Sequence, residues 1–126
     1  MTIAYFLVYS GPAEAGDAVR AWIKGAPAAL FNAAPGLETL DVYEPEKSVS
    51  DPYLHDGPPP LVQLQAAFRD LQSLVALLAS PAYRGTVVAP SPAPPDKVTA
   101  VHDAMEQHFY PVAGETGRHS AVKSIN

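Results

Sequence analysis

The chain has 126 residues, a length typical of one folded domain and too short for two. Nearly half of its residues are hydrophobic (48%), which argues against a disordered chain, and a net charge of -5 with only 8 Lys and Arg argues against a nucleic-acid partner. The absence of cysteine excludes disulfides, thiolate metal sites and thiol catalysis.

The distribution of apolar residues and prolines sets the expected domain organisation. No apolar stretch approaches the roughly 20 residues that span a bilayer, and the first residues lack a basic leader. We therefore expect a cytoplasmic protein without a membrane partner. A single domain is predicted over 1–126, with proline-rich loops at 44–60 and 86–95 and a flexible tail at 114–126.

The first predicted element is a strand from Ile3 to Tyr9, a run of β-branched and aromatic residues followed by a Ser-Gly-Pro turn signal. Both of its alternating faces are apolar. This pattern predicts that the strand is covered on two sides and is central in its sheet.

A helix is predicted from Ala13 to Ala34, because the apolar residues there recur every three or four positions. Pro27 falls inside this segment and has no backbone N–H group, so we expect a kink or a restart at that point. Pro35 and Gly36 then end the helix.

Two strands and a second helix follow in the pattern. Leu37 to Tyr43 and Leu61 to Phe68 each alternate apolar and polar residues, which indicates strands. Asp70 is a suitable N-cap for the next helix, which ends at Ser80-Pro81. The predicted apolar stripe of this helix is Leu71, Leu74, Val75 and Leu78.

The last part of the chain predicts a short helix and a strand. Asp96 is interpreted as the cap of a helical run through Val98, Val101, His102 and Met105. The final strand is predicted over Gln107 to Val112, where Pro111 restricts it to a sheet edge.

The order strand, helix, strand, strand, helix, strand is that of a ferredoxin-like α+β fold, βαββαβ, in which an antiparallel sheet carries both helices on one face. The first strand is apolar on both faces, yet the helices cover only one. A second copy of the chain is the simplest cover for the other face, so we predict a homodimer that forms through its sheet faces.

Four local strings carry a family resemblance: WIKGAP at 22–27, APGL at 34–37, FRDL at 68–71 and LASPA at 78–82. In their order and spacing they resemble the helix and strand junctions of the EthD-like family of the dimeric α+β barrel superfamily, from Ile3 to about Arg84. The resemblance implies a homodimer that packs sheet against sheet, with a pocket between sheet and helices in each subunit.

The sequence departs from that family at two points. EthD-like sequences usually carry a histidine two residues before the proline of the first helix, and here that position is Gly25. Chemistry that depends on that imidazole is therefore not implied. The proline-rich segment and the extra predicted helix before the last strand also differ from the short ending of the family.

Histidines supply the candidate catalytic groups. His102 and His108 are candidate general bases, with packing or solvent exposure as the alternative for each. Their six-residue separation is not a helical metal-ligand spacing, and no metal site is predicted. His55 lies with Asp51 and Asp56 in the 44–60 loop, where binding a cation or covering a pocket is weighed against a solvated loop.

Aromatic side chains on the strands supply the candidate ligand-binding groups. Tyr5, Tyr9 and Trp22 are interpreted as walls that stack on a planar aromatic ligand, with Tyr43 added as a catalytic candidate. Ordinary core or interface packing is the alternative for all four.

Polar amides on a strand need hydrogen-bond partners if they are buried. Gln63 and Gln65 therefore have two open interpretations, orienting a ligand or bonding across the dimer interface, and Asp41 shares the ambiguity.

No glycine-rich phosphate loop and no Ser-His-Asp set is evident, and no cofactor is predicted. One hypothesis is a small-molecule-binding or accessory protein of EthD-like type, linked to catabolism and without a defined activity. The other is a cofactor-independent monooxygenase or isomerase that acts on an aromatic or polyketide-like compound through Tyr and His side chains. Fold alone does not choose between them.

Overall fold

The computed structural model describes residues 1–45, 60–90 and 97–110. The described strands are β1 (Ile3–Ser10), β2 (Leu37–Tyr43), β3 (Val62–Phe68) and β4 (Thr99–Glu106). The helices are α1 (Gly16–Ile23), α2 (Ala26–Asn32), α3 (Leu71–Leu78) and the short α4 (Pro81–Tyr83), with a 3-10 turn at Ala13–Ala15 and a π-helical turn at Arg84–Val88. None of these helices is long and apolar enough to cross a membrane.

The strands form one antiparallel sheet in the order β2-β3-β1-β4. β1 is an interior strand, as its double-sided apolar pattern predicts. The helices pack on one side of the sheet, which we call the covered face; the other side is the open face. The predicted ferredoxin-like α+β architecture is confirmed.

The covered face and the helices form the hydrophobic core. Leu64 and Phe68 of β3 are fully buried there against Ile23 of α1, Phe31 of α2 and Leu74 of α3. Each such side chain contributes about 1.5–3 kcal/mol relative to leaving it in water. This core fixes the register of β1 and thereby aims every second β1 side chain at the helices.

The first helical region is divided, as Pro27 predicts. Helix α1 ends at Ile23, the backbone turns at Gly25, and α2 begins at Ala26 with Pro27 in its first turn. Proline is well accommodated there, because the first N–H groups of a helix have no intrahelical acceptor.

Gly36 connects the turn before β2 to the start of α3. Its φ of 85° is in the left-handed region, and a Cβ at this position would clash with the Ser73 hydroxyl oxygen. The Ser73 N–H donates to the Asp70 carboxylate at 2.8 Å, which confirms the predicted cap. The hydrogen bonds from Ser73 also hold the pKa of Asp70 below its ordinary value. Glycine is thus required where the two elements meet.

The predicted buried stripe of α3 is partly wrong. Leu74 and Leu77 are buried, whereas Leu71 and Val75 are exposed. The spacing 74, 77, 78 fits a helix as well as 71, 74, 75, 78 does, so periodicity alone does not select the flank that meets the sheet.

The prediction for the end of the chain is also wrong. Val98 to Met105 is not helical, because Thr99–Glu106 forms strand β4 beside β1, and Gln107 to Tyr110 is not a strand. Pairing with β1 supplies the backbone hydrogen bonds that the weak local pattern does not reveal. The edge position of the last strand is nevertheless confirmed. Without the extra helix, the second departure from the EthD-like pattern is reduced to the proline-rich segment.

Several predictions fall wholly or partly on residues 46–59, 91–96 and 111–126. They are most of the 44–60 loop, the Asp96 cap, Pro111 and the tail at 114–126, and all lie outside the described residues. The loop predicted from residue 86 starts later than expected, since the π-helical turn continues to Val88.

Candidate active site

Three hydrogen-bonded side chains connect the core to the sheet edge, and we call them the hydrogen-bond chain. The Tyr5 hydroxyl lies 2.5 Å from the Tyr83 hydroxyl and 2.7 Å from Nδ1 of His102. Tyr5 is on β1, Tyr83 ends α4 and His102 is on β4. The antiparallel register pairs Leu7 with His102, which places the imidazole on the covered face, near Tyr5.

Aromatic packing holds the middle of this chain in place. Phe31 stacks on the Tyr5 ring with centroids 5.8 Å apart, and Tyr83 meets Phe31 edge to face at 6.2 Å. His102 meets the Tyr5 ring edge to face at 5.5 Å. Tyr5 is 1% exposed and Tyr83 5%, while His102 is exposed, so the chain joins the interior to solvent.

Burial keeps the phenols neutral. It raises the pKa of Tyr5 far above the ordinary value of 10.0, and the hydrogen bond with Tyr83 raises it further. Burial also raises the pKa of Tyr9 and of Tyr83. A phenolate is therefore strongly disfavoured at these three positions.

A cavity of about 180 Å³ lies between β1, β4 and the 81–88 helical segment. An apolar cavity of roughly 150 Å³ is known to accept benzene, so this volume suits a single ring. Tyr83 and His102, the two ends of the hydrogen-bond chain, both line it, whereas Tyr5 does not. The full lining is Leu7, Tyr9, Tyr83, Val87, Val88, Ala100, Val101 and His102.

Tyr9 forms another wall of this cavity, with its ring edge against Trp22 at a centroid distance of 5.4 Å. Its hydroxyl is buried and has no hydrogen-bond partner within the described part of the chain. Such a group costs about 1–3 kcal/mol.

The structure brings together only some of the predicted site residues. Tyr9 and His102 line the cavity, with Tyr5 and Trp22 directly behind it. His108 follows β4, where its Nε2 lies 3.5 Å from Glu106. His55, Asp51 and Asp56 lie outside the described residues.

Three other predicted residues, Tyr43, Gln63 and Gln65, lie on the open face, away from the cavity. The Tyr43 hydroxyl donates to Oε1 of Gln65 at 3.2 Å. Partial burial, together with the charge of Asp41, raises the pKa of Tyr43. The interface interpretation of the two amides stays a prediction.

The sequence interpretation missed Tyr83 and Phe31. Ser80-Pro81 was interpreted as a helix end, but it also starts α4: the Ser80 hydroxyl oxygen accepts from the Tyr83 N–H at 3.1 Å. Serine before proline is a helix-start signal, and it is the one clue that could have placed Tyr83 in an ordered element.

A larger depression of about 450 Å³ lies at the start of α3, lined in part by Arg69, Asp70 and Ser73. Asp70 is already committed to capping the helix and lies 3.6 Å from Arg69. No set of three or more His, Asp or Glu side chains among residues 1–45, 60–90 and 97–110 is arranged to hold a metal ion. The cavity beside His102 is therefore the best candidate site.

Solved structures share this fold. An antibiotic biosynthesis monooxygenase candidate from Deinococcus radiodurans is 20% identical, with a TM-score of 0.61 over 90% of this chain and 100% of that one. An EthD family protein from Bacillus halodurans is 18% identical, with a TM-score of 0.59 over 85% and 100%. SnoaB, a cofactor-independent oxygenase from Streptomyces nogalater, is 17% identical, with a TM-score of 0.52 over 86% and 93%.

These identities show the fold alone. The chain has a ferredoxin-like α+β fold, which it shares with the EthD family protein and with the monooxygenase candidate. The sequence matches no protein-family model and none of the curated proteins.

Proposed function

We propose that the chain binds a compact, neutral, ring-shaped small molecule in the cavity beside His102. The observation that carries this proposal is the convergence of Tyr83 and His102 on one otherwise mostly apolar cavity. Ligand sites typically combine apolar walls with a few polar groups that fix orientation.

Charge and size narrow the ligand class. The part of the lining that the structure describes contains neither Lys nor Arg, so a carboxylate or phosphate would enter it without a cation to compensate the loss of water. The volume of about 180 Å³ suits a ligand with one ring. An accessory role in catabolism, in the cytoplasm, is the physiological setting that we infer for such a protein.

Calorimetric titration with acetophenone and benzoate tests the binding proposal. The two probes have similar size, but benzoate is an anion, so we expect binding of acetophenone only. Ala100→Leu fills the cavity and should abolish binding. Ala76→Leu, in the larger depression at α3, is the matched control and should leave binding intact. Equal effects of the two variants, or no binding at all, would contradict the proposal.

A second candidate function is proton-transfer catalysis, as in an isomerase or a cofactor-independent oxygenase. It is favoured by the hydrogen bond that orients His102 at Nδ1, because Nε2 can act as a base when Nδ1 carries the ring proton. An isomerase returns the abstracted proton to another atom of the ligand; an oxygenase passes electrons from the deprotonated ligand to dioxygen. SnoaB, described as a cofactor-independent oxygenase, shares the fold.

The rate of deuterium uptake into the methyl group of acetophenone in heavy water tests this second function. His102→Gln should lower the rate that the protein adds by at least about 100-fold, the usual contribution of a positioned base. His108→Gln, on the segment after β4, should leave it unchanged. Loss of binding in the calorimeter must be excluded for each variant.

We also propose that the open face pairs with a second copy of the chain. Val101 and Met105 are 64% and 55% exposed there, and Phe6 and Val8 extend the apolar surface inward. Apolar patches of this kind are uncommon on monomers.

Light scattering after size-exclusion chromatography tests the homodimer. We expect the wild type to elute as a dimer and Met105→Glu as a monomer, because the charge would be buried without a partner. Leu71→Glu is the matched control: Leu71 is 56% exposed on α3, away from the open face, and should not change the mass. A monomeric wild type at micromolar concentration would disprove the dimer.

A further inference from the structure

We infer that the hydrogen-bond chain from Tyr83 through Tyr5 to His102 lets a ligand carbonyl switch the imidazole into its basic form. This inference rests on the proposed binding site and adds to it the chemical class of the ligand. It also assigns Tyr83 as a catalytic residue that contacts the ligand carbonyl and acts on His102 through Tyr5.

The chain has two complete arrangements when His102 is neutral. In the first, Tyr83 donates to Tyr5 and Tyr5 donates to Nδ1, so the imidazole proton is on Nε2. In the second, Nδ1 carries the proton and donates to Tyr5, Tyr5 donates to Tyr83, and the Tyr83 hydroxyl proton is left for another acceptor. Only the second arrangement leaves Nε2 with a free lone pair.

Which of the two arrangements is favoured depends on whether the cavity holds a hydrogen-bond acceptor. Tyr83 is 5% exposed and its neighbours in the cavity wall are mostly apolar, so without a ligand its hydroxyl proton is best satisfied by Tyr5. A carbonyl oxygen next to Tyr83 offers a new acceptor. The Tyr83 proton then turns to the ligand, Tyr5 turns to Tyr83, and His102 must supply the proton that Tyr5 accepts.

Burial makes the coupling tight. Tyr5 is 1% exposed and does not line the cavity, so its hydroxyl responds to the ligand only through its two partners. The high pKa values of the buried phenols exclude a phenolate as an alternative way to satisfy the chain. A change at one end therefore reaches the other end.

The arrangement fits an enolisable ketone or aldehyde. Nε2 takes the proton from the carbon next to the carbonyl, and the C–H electron pair becomes the C=C bond of the enol. The Nδ1 proton passes to Tyr5, the Tyr5 proton to Tyr83, and the Tyr83 proton to the carbonyl oxygen. The protein keeps its proton count and returns to the Nε2–H tautomer, and the reverse sequence regenerates the ketone.

Nitrogen NMR of His102 tests the switch in the full-length protein at mildly alkaline pH. The probes are acetophenone and ethylbenzene, which differ in the carbonyl oxygen. We expect the Nε2–H tautomer in the free protein and with ethylbenzene, and a shift to Nδ1–H with acetophenone. Tyr83→Phe should abolish the shift and weaken acetophenone binding by about tenfold, the usual effect of one hydrogen bond.

Tyr43→Phe, on the open face, is the control and should keep the switch. Acetophenone binding without a tautomer change, a free protein that already holds Nδ1–H, or a switch that persists in Tyr83→Phe would overturn the inference and leave the binding proposal standing. Failure of both probes to bind would overturn both. The comparison of the two probes on the wild type remains decisive even if Tyr83→Phe does not fold.

Discussion

The two faces of the sheet belong to the same four strands but differ in how far their side chains are buried. On the covered face, Leu64 and Phe68 are fully buried against helices of the same chain. On the open face, the neighbouring Gln65 is half-buried and Met105 is exposed. Alternation along one strand thus separates a surface that stabilises the subunit from one that is available to a partner.

The candidate site lies at the edge of the covered face, where the helices cover the sheet least. Tyr5 is sealed under Phe31, but His102 on the edge strand β4 remains exposed, and the cavity fills the space between them and the 81–88 segment. Binding capacity therefore arises at the boundary between a closed core and an uncovered edge.

Replacing Leu64 on the covered face and Gln65 on the open face should give the largest difference in the free energy of unfolding. Leu64→Ala removes a fully buried side chain and should lower the free energy of unfolding by about 2–5 kcal/mol. Gln65→Ala, one residue away on the open face, should change it by less than about 0.5 kcal/mol in the monomer. Urea unfolding of both variants in the Met105→Glu background removes any contribution from a dimer. Similar losses would show that the open face is packed within the subunit.

Two tyrosine hydroxyls give the next comparison. Tyr5→Phe leaves Tyr83 and His102 without their shared partner and should cost about 1–3 kcal/mol. Tyr43→Phe loses one exposed bond to Gln65 and should cost less than about 0.5 kcal/mol. Tyr9→Phe removes a buried hydroxyl that has no partner among the described residues, so it should be neutral or stabilising. A destabilised Tyr9→Phe would show that its hydroxyl has a structural partner.

Alkaline pH should gradually lower the free energy of unfolding. The pKa values of Tyr5, Tyr9 and Tyr83 are raised in the folded state, so above the ordinary value of 10.0 the unfolded chain loses protons that the folded chain keeps. Stability is therefore complete below pH 10 and falls as the pH rises beyond it. Urea midpoints measured from about pH 9 to 11 check this, and a flat profile would contradict the buried state of the three phenols.

The sequence predicts the elements whose side-chain pattern is strong. Ile3 to Tyr9, Leu37 to Tyr43 and the restart at Pro27 are found as expected, because apolar alternation and proline chemistry act locally. Strand β4 was missed, since Thr99 to Glu106 has little polar alternation and is fixed by backbone pairing with distant β1.

The candidate site was predictable only in part. Tyr5, Tyr9 and His102 were selected by residue type, but the register between β1 and β4 that brings Tyr5 and His102 together depends on the missed strand. Tyr83 is 78 positions from Tyr5, and no local pattern announces a contact over that separation.

Because His102 lies on an edge strand, the site should be less stable than the fold as a whole. β4 is exposed along its whole length and pairs on one side only with β1, so its end of the sheet opens with less free energy than the interior strands do. Each opening removes the imidazole and one cavity wall together. On warming, the protein should therefore lose its ligand at a temperature well below the one at which its core unfolds.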